Sequence, residues 1–131
     1  MEMNFEYTVE TKKSFDQAVE AVQAKTAEKG FRVLHVHDVA ATLAEKGFER
    51  EPLKIIEVCN AKYANQVLNA DVSIGLFMPC KINVYTKEGK TYLSSLLPGV
   101  MGGFFPGRGI EPVAAEVEKI VRGIVNESAG A

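Results

Sequence analysis

Two cysteines and two histidines are the side chains of this sequence that are best suited to chemistry. Cys59 and Cys80 are the two cysteines, and a pair of thiols can serve redox exchange, persulfide transfer or metal capture. His35 and His37 are the two histidines, and residues two apart on a strand point to the same face. If the strands that carry them are neighbours, these four side chains could complete a four-ligand zinc site. Zinc is the one cofactor that this hypothesis names.

Each pair also has a plainer interpretation. The histidine and cysteine spacing matches no standard zinc signature, so His35 and His37 can equally serve packing and hydrogen bonding. Unpaired cysteine is among the most buried residue types, so both cysteines can be small core residues. One feature favours reactivity at Cys59: Asn60 is suited to cap a following helix, and a helix start lowers the pKa of a nearby thiol.

A glycine-rich segment, residues 99–109 with the sequence GVMGGFFPGRG, is the second unusual stretch. It lacks the residue order of a phosphate-binding loop, and Arg108 is its only cation. Arg108 could still hold an anion near the start of the last helix. We expect instead that Met101, Phe104 and Phe105 form an apolar patch, which serves as a dimer contact or as the lid of a pocket.

Composition limits the class of protein. The chain has 131 residues, of which 47% are hydrophobic and 24% charged, and this predicts one globular domain over 1–131. Fifteen basic and seventeen acidic residues, with no basic run, argue against a nucleic-acid partner. The chain shows neither a signal-peptide pattern nor an apolar run long enough to span a membrane. We therefore expect a cytoplasmic protein, without a membrane partner, in which the thiols are reduced.

The elements that position these residues follow from periodicity and from end signals. Ser14 with Gln17 forms a capping box at the start of the first helix, and Gly30 offers its left-handed end. Pro112 suits the first turn of the last helix. Strands are predicted over residues 4–11, 31–38, 53–58 and 91–97, and a short helix over 61–68.

Two stretches are harder to assign. Residues 39–48 are weakly helical or irregular, because their small side chains give little to bury. Residues 74–85 are predicted to be extended, but Pro79 within them lacks the N–H that a sheet ladder needs. This strand therefore lies at an edge near Pro79, carries a bulge there, or begins at Cys80. Residues 87–90 form a hairpin turn.

The resulting element order is β-α-β-β-α-β-β-α. Strands and helices do not alternate regularly, which argues against a doubly wound parallel sheet. The sequence therefore predicts the α+β class, with an antiparallel sheet of about five strands and helices packed on one face.

At several of these places the sequence resembles the family called domain of unknown function 302. The resemblance covers most of the chain, although Ala61 stands where many relatives have proline. It implies an α+β domain of the TATA-binding-protein-like class, often paired as a homodimer, with no established activity. The segments that carry it are Lys13-Ser14-Phe15, Lys29-Gly30-Phe31, Glu57-Val58-Cys59-Asn60, Tyr63-Ala64 and the run from Leu76 to Ile82.

Two hypotheses of function follow. The first is a small homodimeric binding or interaction domain with an apolar pocket or interface near residues 99–109, which could take a small-molecule ligand of unknown identity. The second is a thiol-dependent protein in sulfur, redox or metal handling that uses Cys59 and Cys80. No catalytic residue can be named, because neither a Ser-His-Asp arrangement nor an acid pair can be argued. The candidate ligand or interface residues are Cys59, Asn60, Pro79, Cys80, Met101, Phe104, Phe105 and Arg108.

Overall fold

The computed structural model of the protein describes residues 4–130. Five strands form one antiparallel sheet, and helices pack on it, so the predicted α+β class is confirmed. The strands are β1 (Glu6–Thr11), β2 (Arg32–Asp38), β3 (Leu53–Cys59), β4 (Cys80–Lys87) and β5 (Lys90–Leu96). The helices are α1 (Phe15–Glu28), α2 (Val39–Ala44), α3 (Ala61–Ala70), α4 (Met101–Phe104) and α5 (Glu111–Ser128). Short 3₁₀ segments cover Val72–Phe77 and Pro98–Val100.

The strands lie in the spatial order β1-β5-β4-β3-β2, and every neighbouring pair is antiparallel. The first strand therefore pairs with the last, with Glu6 opposite Leu96 and Thr11 opposite Thr91. A tight turn joins β4 to β5, as predicted. Glu88 and Gly89 both have positive φ there, at 53° and 81°, which suits the twist of a two-residue hairpin loop.

Helix α1 begins with the predicted capping box. Ser14 Oγ accepts from the Gln17 N–H at 3.2 Å, and Gln17 Oε1 accepts from the Ser14 N–H at 3.0 Å. Gly30 follows the helix with φ of 79°, a conformation in which glycine avoids the steric cost of a Cβ atom. Helices α1 and α5 lie side by side on one sheet face, and Val22 and Ile124 of their inner faces are fully buried. The apolar side of the last helix thus forms part of the core.

Strand β2 differs from a simple alternation. Its pairing with β3 shifts register between Val33 and His35, which is a β-bulge. As a result, Val33 and Val36 both pack against the core, while Leu34 and the two histidines are exposed. The face of the sheet opposite α1 and α5, which we call the open face, therefore carries His35 and His37.

Residues 74–77 are not extended, contrary to the prediction. They belong to the 3₁₀ segment Val72–Phe77, which begins where Asp71 Oδ1 accepts from the Ser73 N–H at 2.9 Å. Ile74 is its buried anchor. Strand β4 begins at Cys80, directly after Pro79, which was the third of the predicted alternatives.

Residues 101–104 of the glycine-rich segment also form one helical turn, α4. Between residues 4 and 130 no helix combines the length and hydropathy that crossing a bilayer requires.

Candidate functional site

A small apolar cleft lies where the ends of β3 and β4 meet α3, α4 and α5. Its volume is about 40 Å³, and its lining is almost wholly apolar. Tyr63 and Val67 of α3 form one wall, and Val113 and Val117 of α5 form another. Met101, the first residue of α4, lies over the cleft and is buried. Of residues 99–109, only Met101 lines this cleft.

Both cysteines border this cleft. Cys80 opens β4 directly opposite Val58, and Cys59 is the next residue along β3. Both residues line the cleft, and both are free thiols. Because neighbouring residues of a strand point to opposite faces, the register places the side chain of Cys80, and not that of Cys59, on the covered face of the sheet. The sequence identified both positions as candidates, and the pairing of β3 with β4 is what brings them together.

Burial raises the pKa of both thiols. Desolvation is the main cause at Cys80, a negative charge on Cys59 adds to it, and Lys81 offsets it in part, which places the Cys80 pKa at about 11. At Cys59, desolvation also raises the pKa and outweighs the hydrogen bond from the Asn60 backbone. The expected lowering of the Cys59 pKa is therefore wrong. At neutral pH both side chains are protonated thiols, which are weak nucleophiles.

Asn60 holds the rim of the cleft in place. Its Oδ1 accepts from the Tyr63 N–H at 3.2 Å, so the predicted helix cap is confirmed. Its Nδ2 donates to the Gly30 carbonyl at 3.0 Å and thereby links the start of α3 to the chain that enters β2. Both ends of the Asn60 amide are thus engaged within the protein.

Arg108 has a carboxylate partner within the chain. Its Nε donates to Asp71 Oδ2 at 3.0 Å, and its Nη1 donates to the Pro106 carbonyl at 3.4 Å. The pKa of Asp71 is lowered, first by the Ser73 N–H and then by Arg108. The predicted anion-binding role of Arg108 is replaced in this structure by an ion pair that ties the glycine-rich segment to the end of α3.

Large apolar side chains are exposed beside the cleft. Leu76 is 88% exposed, Val72 is 78% exposed and Phe104 is 53% exposed. The ring centroid of Phe77 lies 5.3 Å from that of Phe104 and 5.7 Å from that of Phe105, so the 3₁₀ segment and α4 contact each other through aromatic rings. We call this surface the apolar patch, and its residues are Leu68, Val72, Leu76, Phe77, Phe104 and Phe105.

The histidines lie elsewhere. His37 Nε2 is 2.8 Å from Glu57 Oε2, and the rings of His35 and His37 meet edge to face with centroids 4.3 Å apart. The hydrogen bond from His37 is the main cause that lowers the pKa of Glu57. His35 pairs with Glu57 on the open face, whereas Cys80 pairs with Val58 on the covered face. The four predicted ligands therefore do not converge on one ion.

Sequence reasoning missed three residues of this region. Met78 and Tyr63 line the cleft, and Leu76 is the most exposed of the large apolar side chains in the described chain. A signal for Leu76 was present, because residues 72–77 are rich in apolar side chains, but the extended prediction for residues 74–85 placed four of these six residues in a sheet. Pro79 does not line the cleft; it separates Met78 from Cys80.

The chain is similar to proteins that share its architecture. A family model described as "Domain of unknown function DUF302" matches residues 7–128. The crystal structure of uncharacterized conserved protein DUF302 from Bacillus stearothermophilus superimposes with a TM-score of 0.90 and is 31% identical in sequence. That match covers 96% of this chain and 99% of the other. No functionally curated protein matches the chain.

Proposed function

The chain belongs to the DUF302 family of domains of unknown function, and we propose from its surface that it is a small interaction domain that forms a homodimer through the apolar patch. The carrying observation is that Leu76, Val72 and Phe104 are exposed on two segments that contact each other through Phe77. Single exposed apolar residues are common on soluble proteins, but a contiguous apolar patch usually marks a partner surface. The patch therefore supplies the apolar centre that an interface needs.

A second copy of the chain is the partner that this surface fits. A two-fold interface places the same patch on both subunits, so a charged side chain in the patch of one copy can come close to the same side chain of the other. Asp71 and Arg108, which lie at the ends of the patch segments, already neutralise each other at 3.0 Å. Two copies can therefore meet there without juxtaposing unpaired like charges. The resemblance noted in the sequence also implies pairing of this kind.

The cleft is too small for a typical organic ligand, and the residues around it pack against the base of the apolar patch. Its volume of about 40 Å³ compares with roughly 300–1,000 Å³ for small-molecule sites. Met101 and Val67 line the cleft and also belong to the buried cluster against which Phe77 and Phe105 pack. The cleft and the apolar patch thus share a wall.

Sedimentation velocity tests the proposed dimer. The wild-type protein should sediment as a particle of twice the 14.3 kDa chain mass. Leu76→Asp and Phe104→Asp place a charge in the patch at exposed positions, so each should yield a folded monomer. Phe48→Asp is the matched control, because Phe48 is also an exposed aromatic, at 64%, but lies on the stretch between α2 and β3. A monomeric wild-type protein, or patch variants that sediment like the wild type, would contradict the proposal.

A further inference from the structure

A depression on the open face of the sheet is large enough for a small organic ligand. It lies between α2 and the strands β3 and β4, and its volume is about 360 Å³. Small-molecule sites typically measure roughly 300–1,000 Å³, so this depression is within their range, unlike the apolar cleft. Its lining includes three aliphatic side chains, Val39, Leu43 and Ile55, and three titratable ones, His37, Glu57 and Lys81.

Helix α2 forms the apolar wall of the depression. Val39 and Leu43 are four residues apart on this helix and therefore lie on the same side of it. Both are half-buried, as is Ile55 of β3, which lines the depression with them. No residue of α2 is fully buried, so the helix adds little to the core. An alkyl chain that covers these three side chains gains about fourfold in affinity for each methylene group removed from water.

Lys81 supplies a positive charge that no carboxylate of the described chain neutralises by contact. The register places Lys81 directly opposite Glu57, where opposite charges often pair across strands. Glu57 Oε2 instead lies 2.8 Å from His37 Nε2. The Lys81 ammonium group donates to the Pro79 carbonyl at 3.3 Å, and no carboxylate among residues 4–130 lies within 4.0 Å of it. This ammonium group is therefore available to an anionic ligand.

The charges around Lys81 favour an anion on the side of α2. Lys81 also lines a neighbouring depression of about 300 Å³, but the Glu6 carboxylate lines that depression and repels an anion. On the side of α2 the one carboxylate in the lining belongs to Glu57, and His37 already occupies one of its oxygens.

We propose that the depression beside α2 binds a small aliphatic carboxylic acid in its ionised form. The Lys81 ammonium group holds the carboxylate, because a hydrogen bond between two charged groups is about twice as strong as one between neutral groups. The alkyl chain packs against Val39, Leu43 and Ile55. This site lies on the open face and does not include any residue of the apolar patch, so the proposal does not depend on the dimer.

An NMR titration of the ¹⁵N-labelled full-length protein with sodium hexanoate tests the site. We expect the amide signals of α2 and of β4 around Lys81 to shift along one saturable curve. Hexylammonium and 1-hexanol carry the same alkyl chain without a negative charge, so each should bind about tenfold more weakly or worse, the scale of a lost hydrogen bond to a charged group. Butanoate should bind several-fold more weakly than hexanoate, because it lacks two methylene groups.

Three variants locate the charge that matters. Lys81→Gln should weaken hexanoate binding by about tenfold or more. Glu57→Gln should strengthen it by about threefold, the effect in water of removing a like charge about 7 Å from the ligand. Lys87→Gln is the matched control, because Lys87 is an exposed lysine on the same strand and face, about 20 Å along β4 from Lys81, and the affinity should not change.

Several outcomes would overturn the site. These are the lack of a saturable shift with hexanoate, equal affinity of Lys81→Gln and the wild type, and binding of hexylammonium as tight as that of hexanoate. Weaker binding by Glu57→Gln would contradict the charge argument. Leu76→Asp should bind hexanoate as the wild type does, whatever its oligomeric state, which separates failure of this proposal from failure of the dimer.

Discussion

Ionisation of Cys80 should destabilise the protein at alkaline pH. Burial raises the pKa of this thiol from 9.0 to about 11, so the folded state favours the neutral thiol. A raised pKa contributes stability that is fully present below the unfolded-state value and is lost as the pH rises through the folded-state value. The relevant window therefore runs from about pH 9 to pH 11. One pKa unit corresponds to about 1.4 kcal/mol, so roughly 2–3 kcal/mol of unfolding free energy should disappear across it.

The measurement compares the wild type with Cys80→Ala. Urea unfolding, followed by circular dichroism without oxygen, gives the free energy of unfolding of each protein between pH 8 and pH 12. Lysines and tyrosines titrate in both proteins, so the difference between the two curves isolates Cys80. The wild-type advantage should shrink by about 2–3 kcal/mol over this range, a large share of a typical domain stability of about 5–15 kcal/mol.

A direct titration provides the control. Thiolate absorbance in a Cys59→Ala background reports Cys80 alone, and burial, the largest cause of its raised pKa, remains in that variant. Cys80 should titrate well above the ordinary range of about 8.5. Titration near that ordinary value, or a constant stability difference from pH 8 to pH 12, would refute the argument that packing over the strand ends desolvates this thiol.

Two further changes test the supports of the site. Asn60→Ala should lower the unfolding free energy by about 1–2 kcal/mol, because it removes the cap of α3, and Asn60→Asp should recover part of it by restoring the acceptor. The loss should appear in urea unfolding at neutral pH; an unchanged midpoint would contradict it. Gly30→Ala should cost about 1 kcal/mol, since Gly30 has φ of 79°. Gly103→Ala in α4 should be neutral or slightly stabilising in thermal melts, because no atom lies within 4 Å of the added methyl group.

The helix starts that are fixed by hydrogen bonds between residues close in sequence could be predicted from the sequence. Ser14 and Gln17 cap α1 through bonds three residues apart, and Asn60 caps α3 in the same way, so both starts were visible in the sequence. Residues 72–77 show the opposite case. Their apolar residues at positions 72, 74 and 76 alternate as in a strand, yet Ile74 is buried in a cluster with Met101 and Ile110, which is a tertiary contact. The resulting 3₁₀ geometry leaves Leu76 exposed.

The candidate site divides in a similar way. Cys59, Cys80 and Met101 were identified as candidates by residue type, but their common cleft depends on α4 and α5, which lie far along the chain. The helix-start effect on Cys59 is local and was anticipated. The desolvation that outweighs it is not local, which is why the predicted direction of the Cys59 pKa was wrong. The histidines failed as partners of Cys80 because strand register places them on the opposite face of the sheet.

The pairing of β1 with β5 has a consequence for synthesis of the chain on the ribosome. Strand β1 is at one edge of the sheet, and its neighbour there, β5, ends at Leu96. At about 5–20 residues per second, roughly 4–17 seconds separate the synthesis of the two strands. During that delay Tyr7 and Val9 of β1 have no β5 strand to pair with. The strand is short, and Glu6 and Glu10 place charges on either side of its apolar residues, a pattern that protects a newly made strand from aggregating with other chains.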